Sequence, residues 1–475
     1  MYKTLTSTIS RSGFAALSLL ASTGLSGEVR DDWIDPDTGH RIVRLSRVPG
    51  DSQSLYFHQN EFTASGDKLV FENGGVNRQR GVRGFWTNRI YVYDFKSKET
   101  DLLTDNGGKV ILIAPNSRKV YHQRSNTLFA THLDKQETKT LAQLPFRWRI
   151  SAINSDETLG AGTFVEGGQQ IDTSGPKSSW FDKVFEAGRP GGIFLVNLKT
   201  GETNVIERGT NWFNHLQFSP VDPALLSFCH EGPWHKLDRI WQIRTDGTGL
   251  RLMHARTMPM EIAGHEFWSH DGQRVWFDLQ MPRGEKFFLA GVPAVGQADA
   301  RPESVALSRT AVDGARLSPA AASRKGQASS EISSVSLQSD GAAAGDSRAP
   351  TATKEIRYEL PRDQWSVHYN ISWDGKLFAG DGGDEHMVAH AANGKWIYLF
   401  TPQPDNTLKA EKLVNMSKHD YDLEPNVQFK PDGKWIVFRA NFDGPTQVYA
   451  VEVAKAPGGK GLTQRSEATR SDAGR

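Results

Sequence analysis

The sequence predicts an all-β fold, a seven-bladed β-propeller whose ring is closed by an N-terminal strand. Three observations carry that expectation. A turn-and-strand frame recurs seven times, strands rich in aromatic and β-branched residues follow its clear copies, and helical periodicity is confined to SSWFDKVFEAG at 178–188. A sheet of three or four strands cannot bury both faces alone, so repeats of this length stack as blades around an axis.

The frame is an apolar residue, three residues of turn chemistry, Gly or a polar substitute, and then a strand. Its clear copies are FTASGDKLVF (62–71), WSHDGQRVWF (268–277), ISWDGKLFAG (371–380) and FKPDGKWIVF (429–438). FSPVDPALLSF (218–228) is a longer version, and IAPNSRKVYH (113–122) and INSDETLGAG (153–162) are weaker ones. Copies lie 40–65 residues apart, except between 268 and 371, where the spacing is 103. A further strand follows in NRIYVYDF (88–95), GGIFLVNL (191–198), DRIWQIRT (238–245) and TQVYAVEV (446–453), then a polar turn and another strand. The last unit runs out of strands before the chain ends, while TGHRIVRLSR (38–47) stands without a unit of its own. The economical solution places that N-terminal strand in the seventh blade, which removes an open sheet edge.

The propeller is expected to span 28–455. Residues 1–27 read as an export signal, with Lys3 and Arg11 ahead of a short apolar run and a cleavage point near Ser26, which implies a periplasmic or secreted protein. A cytoplasmic protein with an unstructured leader is the other reading. Residues 294–354, rich in Ala, Ser, Gly and Arg, read as a disordered insertion, and 456–475 as a disordered tail, because neither buries enough apolar surface to offset chain entropy. A net charge of +1 gives no reason to expect nucleic acid or an anionic membrane as partner. No segment is long and apolar enough for a membrane span. The single cysteine, Cys229, rules out an intrachain disulfide. There is no P-loop, no Gly-x-Gly-x-x-Gly after a strand and no Gly-x-Ser-x-Gly elbow, which argues against nucleotide enzymes and serine hydrolases.

In a propeller the innermost strands line the channel, so the residue three before each turn's apolar anchor falls at a common height. That position reads Gln59, Val110, Ile150, His215, His265, His368 and Asn426. Three histidines and an asparagine from successive blades at one level point to a cluster that binds a divalent metal or moves a proton. Glu424 lies two residues before Asn426, on the same strand face. FCHEGPWHKLDRIW (228–241) brings His230, Glu231, Trp234 and His235 toward the same end, although Trp234 packing and Glu231 capping a turn are plainer roles. The Gly-rich loop at 73–86 carries Arg78, Arg80 and Arg83, which suit a bidentate carboxylate clamp or simply a solvated loop.

FCHEGP (228–233), GHEFW (264–268) and GDGG (380–383) resemble the oligogalacturonate lyases, seven-bladed propellers of a polysaccharide lyase family, over about 35–455 without the insertion. The resemblance implies β-elimination on an acidic oligosaccharide substrate, with manganese held by histidines and a glutamine. His265 matches the first metal ligand. The family's Gln-x-x-His-x-His run is read onto 421–426, where Tyr421, Glu424 and Asn426 replace the glutamine and both histidines. Oxygen donors with one histidine also suit Ca or Mg, and they suit a metal-free site equally. His215 matches the catalytic histidine, and the family's arginine falls near Gly192, with Arg189 or the 78–83 loop as substitutes.

The expected roles follow. His215 is the base, and His230 and His235 are further acid–base candidates. His265, Glu424 and Asn426 hold metal or carboxylate, His368 completes that metal cluster, and Gln59, Trp234 and the arginines at 78, 80, 83 and 189 meet substrate. The product is a 4,5-unsaturated uronide. Two other readings stay open: a non-enzymatic, TolB-like propeller that binds a protein partner, and a lyase for another acidic glycan.

Overall fold

A computed structural model describes residues 30–75, 89–105, 107–114, 116–167, 171–172, 177–294, 354–387 and 390–457. The export signal, Arg78, Arg80, Arg83, nearly all of the 294–354 insertion and nearly all of the tail lie outside these residues. The described residues form seven antiparallel sheets arranged as a β-propeller, six of four strands and one of five. Blades 1–6 follow chain order from Asp51–Gln53 to Leu408–Asn415, each starting at the axis and stepping outward.

Turn chemistry sets the first hairpin of each blade. In the clear copies, Gly66, Gly272, Gly375 and Gly433 sit at φ of +65 to +71°, the left-handed region that a side chain disfavours. Ser269 donates to Asp271 (2.6 Å), whose carboxylate accepts the Gln273 amide (3.0 Å), and Ser372 and Asp374 repeat the pattern at 2.7 Å. Middle strands are apolar on both faces because each packs between two neighbouring blades. Gly191–Asn197 is buried at every position but the last, whereas the outer strand Thr203–Gly209 has no buried position. Residues from adjacent blades share each core layer, as where Ile397, Leu399 and Leu413 of blade 6 meet Ile436, Phe438 and Tyr449 of blade 7.

Blade 7 takes Gln428–Phe429, Trp435–Ala440 and Gln447–Lys455 from the C-terminal end and two strands from the N-terminal end. His40–Arg44 pairs with Gln447–Lys455 in the register Ile42↔Val451 and Val43↔Ala450, and Asp32–Ile34 adds an outer strand with Trp33 opposite Ile42. The closing strand expected at 38–47 is His40–Arg44, and the short Asp32–Ile34 adds an outer edge with no buried position. The one expected helix is present at Lys177–Glu186. No helix among the described residues is long and apolar enough to cross a membrane.

Blade 1 departs from the repeat. Its inner strand pairs at Asp51–Gln53, leaves the ladder, and returns only at a bridge between Phe62 and Leu69. The intervening residues enter the centre of the ring. Neighbouring blades hold them there: Asn426 Oδ1 accepts the Phe57 amide (3.1 Å), Asn370 donates to the Phe57 carbonyl (3.0 Å), and Gln428 donates to the Tyr56 carbonyl (3.2 Å).

The insertion's far end is anchored by charge. His254, buried after blade 4, bonds Glu261 (2.8 Å) before blade 5 and Glu355 (3.2 Å) before that blade's outer strand. Burial alone would lower the His254 pKa, but the two carboxylates outweigh it and raise it, while both carboxyls are held below their usual range. The raised histidine contributes stability that is complete below its unfolded pKa, about 6.5, and is lost as pH rises through the higher folded value. The lowered carboxyls contribute stability lost as pH falls below about 4.5. The clip is therefore strongest between those limits. Thermal melts of wild type and His254→Gln should differ most near pH 5.5–6 and converge as pH rises past the folded histidine's pKa; a constant gap up to pH 9 would show that the clip works by packing.

Candidate active site at the mouth of the central channel

Backbone irregularities, repeated from blade to blade, aim the site's histidines. The inner strands of blades 2, 3, 4 and 5 shift register between Val110 and Leu112, Ile150 and Ala152, Asn214 and Gln217, and Gly264 and Phe267. Such bulges re-aim side chains and favour sites next to chemistry. His215 and His265 take φ of 50° and 40° there, and Asn426 takes 56°. Left-handed backbone is unusual for histidine and costs on the order of 1–3 kcal/mol, so surrounding contacts must enforce it. Gly264 is part of the enforcement: a Cβ there would lie 2.9 Å from Asp278 Oδ1 and 3.1 Å from the Trp234 ring.

His265 and His368 form one half of the site. Their ring centroids are 4.5 Å apart. His265 Nδ1 lies 2.9 Å from Asp278 and His368 Nδ1 2.7 Å from Asp381, each carboxylate thirteen residues after its histidine. This orients both imidazoles and leaves both Nε2 atoms for another partner. His368 Nε2 is buried without a hydrogen bond, and Glu424 Oε2 is 3.8 Å from it. Burial lowers the His265 pKa against the pull of Asp278; at His368 burial acts the same way, but Asp381 and then Glu424 win and raise it. Two imidazoles backed by carboxylates, an orphaned nitrogen and a nearby carboxylate are a donor set that fits a divalent cation, whose binding would displace the His368 proton. Asn426 does not present its amide to this set, because Phe57 and the Glu424 carbonyl (3.0 Å) occupy it. Tyr421 is buried away from the mouth, its hydroxyl on the Asp381 carbonyl (3.0 Å). The residue standing beside His265 is thus His368 of the next blade, so the metal-ligand run read onto 421–426 reduces to Glu424.

His215 forms the other half. Its Nδ1 lies 3.2 Å from Glu266 Oε1. Burial pushes the Glu266 carboxyl up, but His215 and Arg239 outweigh that and hold it at about 2. The carboxylate is therefore ionised and able to orient the imidazole. His58 and Tyr56, from the blade 1 excursion, stand 5.7 Å from His215 between ring centroids, and Tyr56 also reaches His368 at 5.3 Å. Burial, then the charge of His215, lowers His58 to about 3, so its ring is neutral. Phe57 packs on His368 at 4.7 Å and forms the apolar floor.

Beneath His215, donor atoms of His215, Cys229 and Glu231 lie within 4.8 Å of one another. A cation is already there: Arg239, fully buried, bonds Glu231 (2.9 Å), contacts the Cys229 sulfur (3.6 Å) and stacks on Trp234 (4.6 Å). That guanidinium supplies the positive charge for Glu231, so the group braces the site. Trp234 in turn donates to Glu231 (2.8 Å) and presents its ring edge-on to His265 (5.2 Å), so it belongs to the site wall.

Other expected residues stand apart. His230 faces the opposite side of its strand from Cys229 and Glu231 and packs among Phe213, Phe228 and Trp241 at 5.0–5.6 Å, and burial lowers its pKa to about 4. It leaves the acid–base set. His235 lies in a short 3-10 helix, Trp234–Lys236, on the rim, with no ring contact to the cluster among the described residues. Gln59 turns its side chain back onto the Tyr56 amide (3.3 Å). Arg189 sits just before Gly191–Asn197, with no described bond to the cluster. Gly192 cannot be exchanged for an arginine on this backbone, since a Cβ would lie 2.1 Å from the Glu207 carbonyl. Sequence reasoning assigned no role to Tyr56, His58, Glu266, Asp278, Asp381, Arg239 or Arg439. The repeated His–Asp spacing was a usable signal for two of them.

The family described as oligogalacturonate lyase matches residues 29–300, more than half of the chain. The chain belongs to the oligogalacturonate lyase family. An oligogalacturonide lyase of Pectobacterium atrosepticum is 25% identical over 447 residues, covering 88% of this chain and 95% of that one. An oligogalacturonate lyase of Dickeya dadantii is 23% identical over 445 residues, with the same coverages of 88% and 95%. Among solved structures, an oligogalacturonate lyase in complex with manganese superposes with a TM-score of 0.65 at 21% identity, covering 90% of this chain and 96% of its own. The oligogalacturonate lyase of Vibrio parahaemolyticus superposes equally well, at 0.65 and 20% identity over the same shares, 90% and 96%. At these identities the structural likeness speaks for the propeller, and the family match for the kinship.

Glu266 has a measurable consequence for this family member. Glu266→Gln keeps the shape and removes the charge that orients His215. On galacturonate oligomers kcat should fall about 10–100-fold with little change in KM. A variant with wild-type kcat would show that His215 needs no orienting carboxylate.

Proposed function

We propose that the chain is a lyase that cleaves galacturonate oligosaccharides by β-elimination. The observation that carries this reading is the pairing, at one channel mouth, of a carboxylate-oriented histidine with a separate two-imidazole donor set. The family match supports it.

The C5 proton of a uronate is a weak acid. Its removal needs a base, relief of the carboxylate's charge, and a proton for the departing O4. His215, held by Glu266, takes the C5 proton. The electron pair forms the C4–C5 double bond, the C4–O4 bond breaks, and the leaving oxygen acquires a proton. The products are a 4,5-unsaturated uronide and a shortened oligomer. Such a base contributes about 10²–10⁴-fold. His265, His368 and Glu424 would hold a divalent cation, manganese as named for the solved relative. When bound, the ion would supply positive charge that stabilises the enolate-like carboxylate. Asp278 and Asp381 fix the two imidazoles, and Phe57 and Trp234 exclude water from one side.

Absorbance of the unsaturated product tests this. His215→Ala should lose about 10²–10⁴-fold in kcat, and chelation should abolish a rate that returned Mn restores. Retention of most activity by His215→Ala would discard the base, and indifference to chelation would discard the metal.

A periplasmic or secreted location is proposed from residues 1–27 alone. The intact mass of the exported protein should correspond to cleavage near Ser26; a full-length mass would remove that reading.

A further inference from the structure

Among the described residues, two arginines lie inside the ring near the site, and they differ in one respect. Arg239 is neutralised by Glu231 at 2.9 Å. Arg439, on Trp435–Ala440 of blade 7, has no carboxylate within 4.0 Å among the described residues. Its two side-chain bonds go to neutral oxygens, the Glu424 carbonyl (2.7 Å) from Nε and Gln53 Oε1 (3.4 Å) from Nη1. Nη2 has no described protein partner, and it is not sealed from solvent, unlike Arg239 Nε, which is buried without a partner. Guanidinium does not shed its proton in proteins, so burial leaves a cation in need of an anion. The surrounding field confirms how close it stands to the site: its charge acts on His368 and Glu61, and Glu424, Tyr56 and Asp381 act on it.

We propose that Arg439 is the residue that receives the uronate carboxylate and so makes the site selective for the free acid over its neutral ester. This rests on the lyase reading of the same site. The geometry has three supports. The backbone carbonyl that Arg439 grips belongs to Glu424, whose carboxylate is 3.8 Å from His368, so the guanidinium is tied to the metal-type half of the site. Position 192 of blade 3 cannot carry an arginine, because a Cβ there would lie 2.1 Å from the Glu207 carbonyl. A guanidinium whose outer edge is open presents paired N–H donors to a planar carboxylate, which an ammonium cannot do. Placed there, the positive charge opposes build-up of negative charge on the carboxylate as C5 loses its proton.

The probes are saturated digalacturonate and its fully methyl-esterified form, titrated calorimetrically against wild type, Arg439→Gln and Arg439→Lys with the same divalent ion present. Wild type should prefer the acid. Arg439→Gln should weaken acid binding at least about thirtyfold and leave ester binding unchanged. Arg439→Lys should recover part of the acid preference, since it restores charge without the bidentate fork. Should Arg439→Gln fail to fold, a wild-type preference in Arg439→Lys would overturn the assignment, and a reduced one would support it. Equal losses for acid and ester, or wild-type preference in Arg439→Gln, would also overturn it. Product absorbance is read separately. A wild type that selects the acid but forms no unsaturated product would discard the lyase reading and leave Arg439 as the carboxylate site. An active Arg439→Gln with unchanged preference would discard Arg439 alone.

Discussion

Hydrogen bonds between the two ends of the chain hold every other part of the site in place. His40–Arg44 completes blade 7 by pairing with Gln447–Lys455, and that pairing turns seven sheets into a closed ring. The site draws on blade 1 for Tyr56 and His58, blade 4 for His215, blade 5 for His265, blade 6 for His368, and the approach to blade 7 for Glu424. No local segment contains even half of it. An open ring would separate blade 7 from blade 1 and release the bonds by which Asn426 and Gln428 hold the central excursion. Closure also caps a sheet edge that would otherwise offer unpaired amides to another chain.

Within the ring, polar groups are matched pair by pair. Asp278 serves His265, Asp381 serves His368, Glu266 serves His215 and Glu231 serves Arg239. A buried carboxylate without such a partner would take up a proton, as burial drives Glu61 to about 8. Blades 5 and 6 reach the same solution with the same spacing from the turn, a histidine on or next to the inner strand and an aspartate on or next to the second, thirteen residues later. A repeat fold makes such duplication easy, because one register reproduces one distance. The two halves of the site differ in kind for the same reason: in blade 4 the residue thirteen after His215 is Phe228, so His215 looks instead to Glu266 of the neighbouring blade.

Some expectations failed, each for its own physical cause. His230 lies one residue from Cys229 and Glu231, yet a strand turns alternate side chains to opposite faces, and parity sends it into an aromatic layer. Asn426 stands at the expected height, but the excursion from blade 1 offers its amide a backbone N–H to satisfy, and a buried N–H seldom goes unpaired. His368 stands beside His265 although the long insertion separates the two in sequence by 103 residues.

The sequence by itself determined the blades, the ring closure by an N-terminal strand, and the common level of His215, His265 and His368. Those features follow from turn chemistry and strand alternation, which act over a few residues and repeat. Only the tertiary structure decided that Tyr56 and His58 enter the centre, that Glu266, Asp278 and Asp381 back the imidazoles, and that of two interior arginines one meets a carboxylate and the other, among the described residues, only neutral oxygens. These depend on bulges that reset strand parity and on contacts between blades hundreds of residues apart, such as Phe57 with Asn426. Short-range pattern carries no information about which distant group will arrive to share a charge or fill a hydrogen bond.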